Sequence, residues 1–283
     1  MFSKDKKILI IGLGLIGGSY AQGLSKKGYQ VGALDPNEQS IKYGLDNNII
    51  KWGQSSETKE YIEMFDILIF AVYPHVFIEW VEKYQSYIKS GAIITDAIGI
   101  KAWVIDNVLK ILRDDIDYVG GHPMAGKEVY GVQNSDCNIF KNANYIITPT
   151  KKSNEESVQV VREIGEILEF KNIVVLKKED HDEMIGFLSQ LTHCIAVALM
   201  TCKDSEHLVE YTGDSFRDLT RIARINENMW SELFLLNKEE LLKQITLFEE
   251  QLSKLKQTIE DENVDEMKEI MKLSTLRRSY FDK

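Results

Sequence analysis

Between Lys7 and Asp35 the chain passes through an apolar run, a glycine-rich turn, a helical pattern and a second apolar run that ends on an acid. Lys7–Ile11 is rich in isoleucine and suits a strand buried on both faces of a parallel sheet. It leads directly into Gly12-Leu13-Gly14-Leu15-Ile16-Gly17; a helical pattern follows to about Lys27, Gly28 is placed to stop it, and Gln30–Leu34 runs into Asp35. In such a turn Gly12 permits the tight bend, Gly14 lets the backbone approach a pyrophosphate, and Gly17 lets the helix pack closely on the strand. The helix start offers unpaired N–H groups and a partial positive charge to phosphates. Asp35 suits the 2′- and 3′-hydroxyls of a ribose and repels a 2′-phosphate, so the pattern favours NAD over NADP. A glycine-rich βα turn with no ligand, and a site for FAD, are the other readings of this fingerprint.

The α/β rhythm continues. Strands are expected at Asp66–Val72, Ala92–Thr95, Tyr118–Gly120, Tyr145–Thr148 and Ile173–Leu176, with a helix from about Glu155 to Phe170. The loop Ala71-Val72-Tyr73-Pro74 sits at the carboxyl end of a parallel strand, which is the ligand side of such a sheet, so Val72 and Pro74 join the cofactor candidates. From about Lys178 the apolar spacing becomes helical. The expected fold is therefore a Rossmann-type α/β dinucleotide-binding domain over residues 1–177, followed by an all-α domain over 178–283.

The formal net charge of −10 argues against nucleic acid as a partner, because phosphate binding needs a basic face. No apolar run reads as long enough to span a bilayer. The opening residues lead into a strand and not into a signal peptide, and little chain remains after the last helical pattern for an appended regulatory domain. Cys137, Cys194 and Cys202 form no CxxC pair, which suggests reduced thiols and a cytoplasmic protein; Cys194 and Cys202 read as core packing. No His/Cys/Asp/Glu set has metal-site spacing, and His181 and His193, twelve apart, make no HExxH. His75 and His207 carry no role in this reading.

Gly121-His122-Pro123-Met124-Ala125-Gly126-Lys127-Glu128 follows a strand and reads as a loop, since Pro123 and the glycines forbid regular helix. Oxidising an alcohol with NAD needs a base for the hydroxyl proton while hydride leaves the same carbon. A neutral imidazole such as His122 suits that task; its bland alternative is a loop cap. Arg217, Arg221 and Arg224 follow i, i+4, i+7 spacing and can share one helical face, either as an anion cradle or as a solvated face paired with Asp214 and Asp218. Leu241, Ile245, Phe248, Leu252, Leu255 and Ile259 form a heptad-like stripe suited to packing within the domain or across a homodimer.

Four segments together resemble the prephenate dehydrogenase family, the oxidoreductases of tyrosine biosynthesis: Gly12–Ser19, the Gly121–Gly126 loop, Ser189–His193, and Asp218-Leu219-Thr220-Arg221-Ile222-Ala223 followed by Trp230. The resemblance spans roughly residues 5–280 and implies NAD-dependent oxidative decarboxylation of prephenate to 4-hydroxyphenylpyruvate. It implies that His122 is the base at the C4 hydroxyl, that Arg221 binds a substrate carboxylate, and that His193 and Ser189 line the substrate and nicotinamide region. Glu128 matches the family's acidic residue at the pocket mouth, where it gates access, and Arg217 stands where the family often has a basic residue. Three positions depart from the pattern: Gly99 stands where a serine is usual, Thr192 where a proline is usual, and Asp214 where a glycine is common. The alternatives are an arogenate or mixed cyclohexadienyl dehydrogenase, a β-hydroxyacid dehydrogenase, which would favour a lysine base on the helical domain and for which no clear candidate is present, and a non-catalytic NAD-binding redox sensor.

Overall fold

The computed structural model describes every residue except Ser205 and Lys283. The α/β part contains β1 (Lys7–Ile11), α1 (Leu15–Lys26), β2 (Gln30–Leu34), α2 (Glu38–Asp46), β3 (Trp52–Gln54), α3 (Lys59–Ile62) and β4 (Ile67–Phe70). It continues with α4 (Pro74–Tyr84), β5 (Ile93–Asp96), α5 (Ala102–Ile111), β6 (Asp117–Pro123), β7 (Asn144–Pro149), α6 (Glu155–Ile167) and β8 (Asn172–Val175). The strands form one sheet in the order β3-β2-β1-β4-β5-β6-β7-β8, parallel from β3 through β6 and reversed only between β6 and β7. The chain changes winding direction between β1 and β4, and ligands of doubly wound sheets sit at the carboxyl ends of the strands at that point.

The apolar runs are continuous because both faces of the sheet are covered. Ile8 and Ile10 pack with Tyr20 and Leu24 of α1 and with Val161 and Ile164 of α6. Leu9 and Ile11 face the other way, against Phe77 and Val81 of α4 and Val104 and Val108 of α5. Helix ends follow local chemistry: Asn154 accepts from the Ser157 N–H while Ser157 answers the Asn154 N–H, which starts α6.

One expectation for the sheet needs correction. β6 extends through His122 and Pro123, so the histidine lies on a strand and not on a loop. Antiparallel β7 pairs Ile146 with His122 and Tyr145 with Pro123, and this ladder holds the segment extended where glycine and proline alone suggest a turn. The short β3 and the helix α2 before it carry too little pattern to stand out in the sequence.

The helical part contains α7 (Lys178–Ile185), a π-helical segment (Gly186–Leu191), α8 (Thr192–Thr201), α9 (Asp214–Thr220), α10 (Glu227–Leu236), α11 (Lys238–Glu260) and α12 (Val264–Arg278). The first three form one continuous helix. By length and composition Lys178–Thr201 is apolar enough to cross a membrane, which corrects the expectation that no run is. Its charged first turns hide this in a sequence scan. Its buried polar groups are tied to neighbouring helices: Gln190 donates to the Leu233 carbonyl, and Asn237 donates to the Gln190 side chain and the Asp182 carbonyl. α9 stops at Thr220 and a 3₁₀ turn takes Arg221–Ala223, so Arg217, Arg221 and Arg224 do not share one regular helix. Cys202 is exposed, contrary to its expected core position.

Candidate active site

The cofactor end is built by three glycines for three different reasons. Gly12 has φ +90°, and a Cβ there would sit 2.5 Å from the Ala71 carbonyl oxygen and 2.7 Å from Val72. A Cβ at Gly17 would lie 1.9 Å from the Gly12 carbonyl oxygen. A Cβ at Gly14 would meet nothing within 4 Å, so this position opens onto free space. α1 begins there with no side-chain cap and no acid in its first turn, which leaves its first N–H groups available to an anion. Leu13 is buried, while Leu15 and Ile16 are half-buried at the helix start. Asp35 is anchored at the end of β2: its carboxylate accepts from the Leu13 N–H at 2.6 Å and the Asn37 N–H at 2.8 Å. Val72 packs against Gly12, and Pro74 is buried as the first residue of α4. An open groove at bare helix N–H groups, closed by an acid, fits a dinucleotide without a 2′-phosphate.

The sheet also supplies a buried chain of polar groups. His122 Nδ1 lies 2.9 Å from His181 Nε2, and His181 Nδ1 lies 2.7 Å from Asp182 Oδ1. Asp182 in turn accepts the Lys101 N–H at 2.7 Å and the Ala102 N–H at 2.8 Å, capping the start of α5. Beneath this runs a second buried set. Lys101 Nζ donates to Asp96 at 2.6 Å and to the Ile98 and Ile100 carbonyls, while Tyr118 donates to the other Asp96 oxygen at 2.9 Å. Burial, then the neighbouring His181 and Lys101, hold the His122 imidazole well below the usual histidine range, so it is neutral near pH 7. A Cβ at Gly99 would lie 3.7 Å from His122 Nε2 and 3.8 Å from Leu233 of α10. The position where the family resemblance implies a serine therefore faces the imidazole directly.

The helical part contributes a second group. Arg221 pairs with Glu128, and both side chains reach solvent. His193 is half-buried, stacks on Trp230 with centroids 3.7 Å apart, and its Nδ1 lies 2.8 Å from the Ser189 carbonyl oxygen. Burial lowers the His193 pKa, and Glu128 and Arg221 both act on it electrostatically. Arg217 stands apart, exposed and 3.7 Å from Asp214. α10 links the two groups: Trp230 stacks on His193, and Leu233, three residues on and on the same face, reaches toward Gly99, the residue that faces His122. A third contact from α10, Glu232, grips His75 at the start of α4 at 2.5 Å.

Sequence reasoning missed His181, Asp182, Lys101 and Asp96. His181 drew attention only as half of a metal pair. The available signal was an adjacent His-Asp pair at the start of an apolar helix, but its partner is 59 residues away in sequence and is met only through the sheet.

Comparison with known proteins gives the chain its family. The family described as prephenate dehydrogenase, nucleotide-binding domain, matches residues 20–174, and prephenate dehydrogenase, dimerization domain, matches residues 177–273. A prephenate dehydrogenase of Lactococcus lactis subsp. cremoris is 34% identical over 262 residues, covering 88% of this chain and 70% of that protein. A cyclohexadienyl dehydrogenase of Zymomonas mobilis is 26% identical over 290 residues, covering 96% and 95%. The crystal structure of prephenate dehydrogenase from Aquifex aeolicus, in complex with hydroxyphenyl propionate and NAD+, superposes with TM-score 0.88 at 32% identity and covers 98% of both chains. With both halves matched in order, the chain belongs to the prephenate dehydrogenase family.

Proposed function

We propose that this chain catalyses the oxidative decarboxylation of prephenate to 4-hydroxyphenylpyruvate, with His122 as the base. The observation that carries the reading is a neutral, half-buried imidazole on β6, beside the carboxyl end of the sheet that forms the dinucleotide groove. NAD supplies, when bound, the acceptor for the C4 hydride; Gly12, Leu13, Gly14, Leu15, Ile16, Gly17, Asp35, Val72 and Pro74 would hold it. His122 takes the proton of the C4 hydroxyl. Loss of the ring carboxylate as carbon dioxide then makes the ring aromatic, so this step needs little help from the protein. What the chain supplies is alignment and the anchoring of a dianion.

Arg221 is the residue for a substrate carboxylate. Its present partner, the Glu128 carboxylate, occupies the guanidinium as such a group would, and an exchange of one for the other opens and closes the site. Ser189, His193 and Trp230 form the wall beside it. Arg217 stands apart beside Asp214 and is assigned only a long-range attraction for the anionic substrate. Arg221→Ala is expected to raise the KM for prephenate by roughly 10-fold or more while kcat changes less, the pattern of a lost binding contact. An unchanged KM in steady-state assays removes Arg221 from this role. The reading as a whole is tested by following absorbance of the reduced nicotinamide with prephenate and either NAD or NADP. Turnover of arogenate without signal from prephenate selects the arogenate alternative, and turnover of both selects the mixed cyclohexadienyl one, the name that the Zymomonas relative carries.

The helical part is proposed to pair two copies of the chain. Accessible surface is 15809 Å². A compact monomer of this mass is expected to expose roughly 12,400 Å². The excess is more than the ~800 Å² per partner of a standard interface. Exposed apolar side chains in the helical part include Leu252, Ile259, Met271 and Leu276, and only 28% of the most apolar stretch of Lys178–Thr201 is buried. Sedimentation is expected to give a dimer at micromolar concentration; a monomer would refute the pairing. The domain division at 177/178 and a cytoplasmic location complete the reading, the latter supported by three unpaired cysteines.

A further inference from the structure

We propose that His181 and Asp182 are positioning residues for the base: their hydrogen-bonded line holds the proton of His122 on Nδ1, leaves Nε2 as the acceptor, and shares the charge once Nε2 is protonated. The inference rests on the reading of His122 as the base and deepens it.

The assignment follows from counting donors. The Asp182 carboxylate accepts three N–H groups, from Lys101, Ala102 and His181 Nδ1. A carboxylate has no proton to give, so His181 carries its proton on Nδ1. Burial lowers the pKa of both histidines and keeps the pair uncharged at rest. A neutral imidazole has a single N–H, so His181 Nε2 is an acceptor. It lies 2.9 Å from His122 Nδ1, and two acceptors do not sit that close, so His122 Nδ1 is the donor. The lone pair of His122 is thereby placed on Nε2, the nitrogen next to the space above Gly99. The charged groups packed around this line are Asp182 on α7 and the mutually paired Asp96 and Lys101 beneath it.

The same line handles charge during turnover. As the hydroxyl O–H bond breaks, a bond from hydrogen to His122 Nε2 forms. The imidazolium so made can pass its Nδ1 proton to His181 Nε2, which moves the positive charge beside Asp182. When carbon dioxide leaves, its bonding electron pair moves through the ring to the C4 oxygen, which then needs one proton. The steps run backward and return it. The relay gains and loses no net proton over the cycle.

Nitrogen-15 NMR of the histidine-labelled full chain near neutral pH reads the tautomer directly, with His122→Asn used to assign the signals. The expected result is a protonated Nδ1 and a bare Nε2 on His122; the opposite tautomer overturns the proposal. This reading needs no substrate, so it stands or falls separately from the assignment of the reaction. Kinetically, His181→Leu removes the acceptor and is expected to lower kcat about 10–10²-fold, with the KM for prephenate within about twofold. His181→Gln, whose Oε1 can accept from Nδ1, is expected to recover most of the loss. Wild-type kcat in folded His181→Leu, or no recovery in folded His181→Gln, overturns the relay.

Discussion

His122→Asn is expected to lower kcat by roughly 10²–10⁴-fold, the usual worth of a positioned general base, with a smaller change in prephenate binding. Asparagine fills similar space and can keep one hydrogen bond to His181, so the loss reports proton transfer and not collapse of the site. The pH profile supplies an independent reading. The pKa of His122 is depressed, so the base form persists below the ordinary histidine midpoint of about 6.5, and the acid limb of kcat/KM falls below that value. The sign carries over to stability. His122 and His181 are held neutral in the fold but titrate normally once unfolded. Their contribution is complete above about pH 6.5 and is lost as pH falls toward their depressed folded values. Wild-type turnover in His122→Asn, or an acid limb centred above 6.5, would remove the imidazole from the mechanism.

Lys101→Met is expected to destabilise the chain by about 3–5 kcal/mol, because it strands a buried carboxylate. Lys101 and Asp96 are both fully buried, and every polar contact of the ammonium is internal. Without the cation, Asp96 keeps only the Ile98 N–H and the Tyr118 hydroxyl, and the Ile98 and Ile100 carbonyls lose their donor. A domain has about 5–15 kcal/mol in total, so the variant loses a large share of its margin. Urea denaturation measures this, and Lys101→Met/Asp96→Asn is expected to recover part of the loss by removing the stranded charge. The single substitution also removes a cation that depresses the His122 pKa, so the acid limb of activity moves upward in whatever folds. A loss under about 1 kcal/mol would mean that this pair is not what holds the turn from β5 to α5.

How much of this was readable in the sequence depends on how far apart the interacting residues lie. The groove is local: strand, turn, helix, strand and acid fall within 29 residues, and each glycine is demanded by a contact inside that unit or with the loop after β4. His122 and Arg221 stand out by residue type and spacing and Glu128 only through family resemblance, but the Arg221–Glu128 contact is not visible in the sequence, because it joins residues 93 apart. The strand through Pro123 was misread as loop because its extended form comes from pairing with β7, which has no trace in the segment itself. The buried Lys101–Asp96 pair was invisible for a related reason. Spacing of five places no constraint on burial, and a lysine in a turn normally reads as solvated.

The stretch of wider hydrogen bonding at Gly186–Leu191 has a rotational consequence. In a uniform α-helix, residues twelve apart point about 120° away from each other. A turn closed from i to i+5 absorbs one extra residue, which makes the separation equivalent to eleven and cuts the divergence to roughly 20°. His181 and His193 are thereby brought to one side of the same rod, one beneath the sheet's imidazole and the other against the indole of Trp230. Unwinding by a single residue thus lets one helix serve both walls of the crevice.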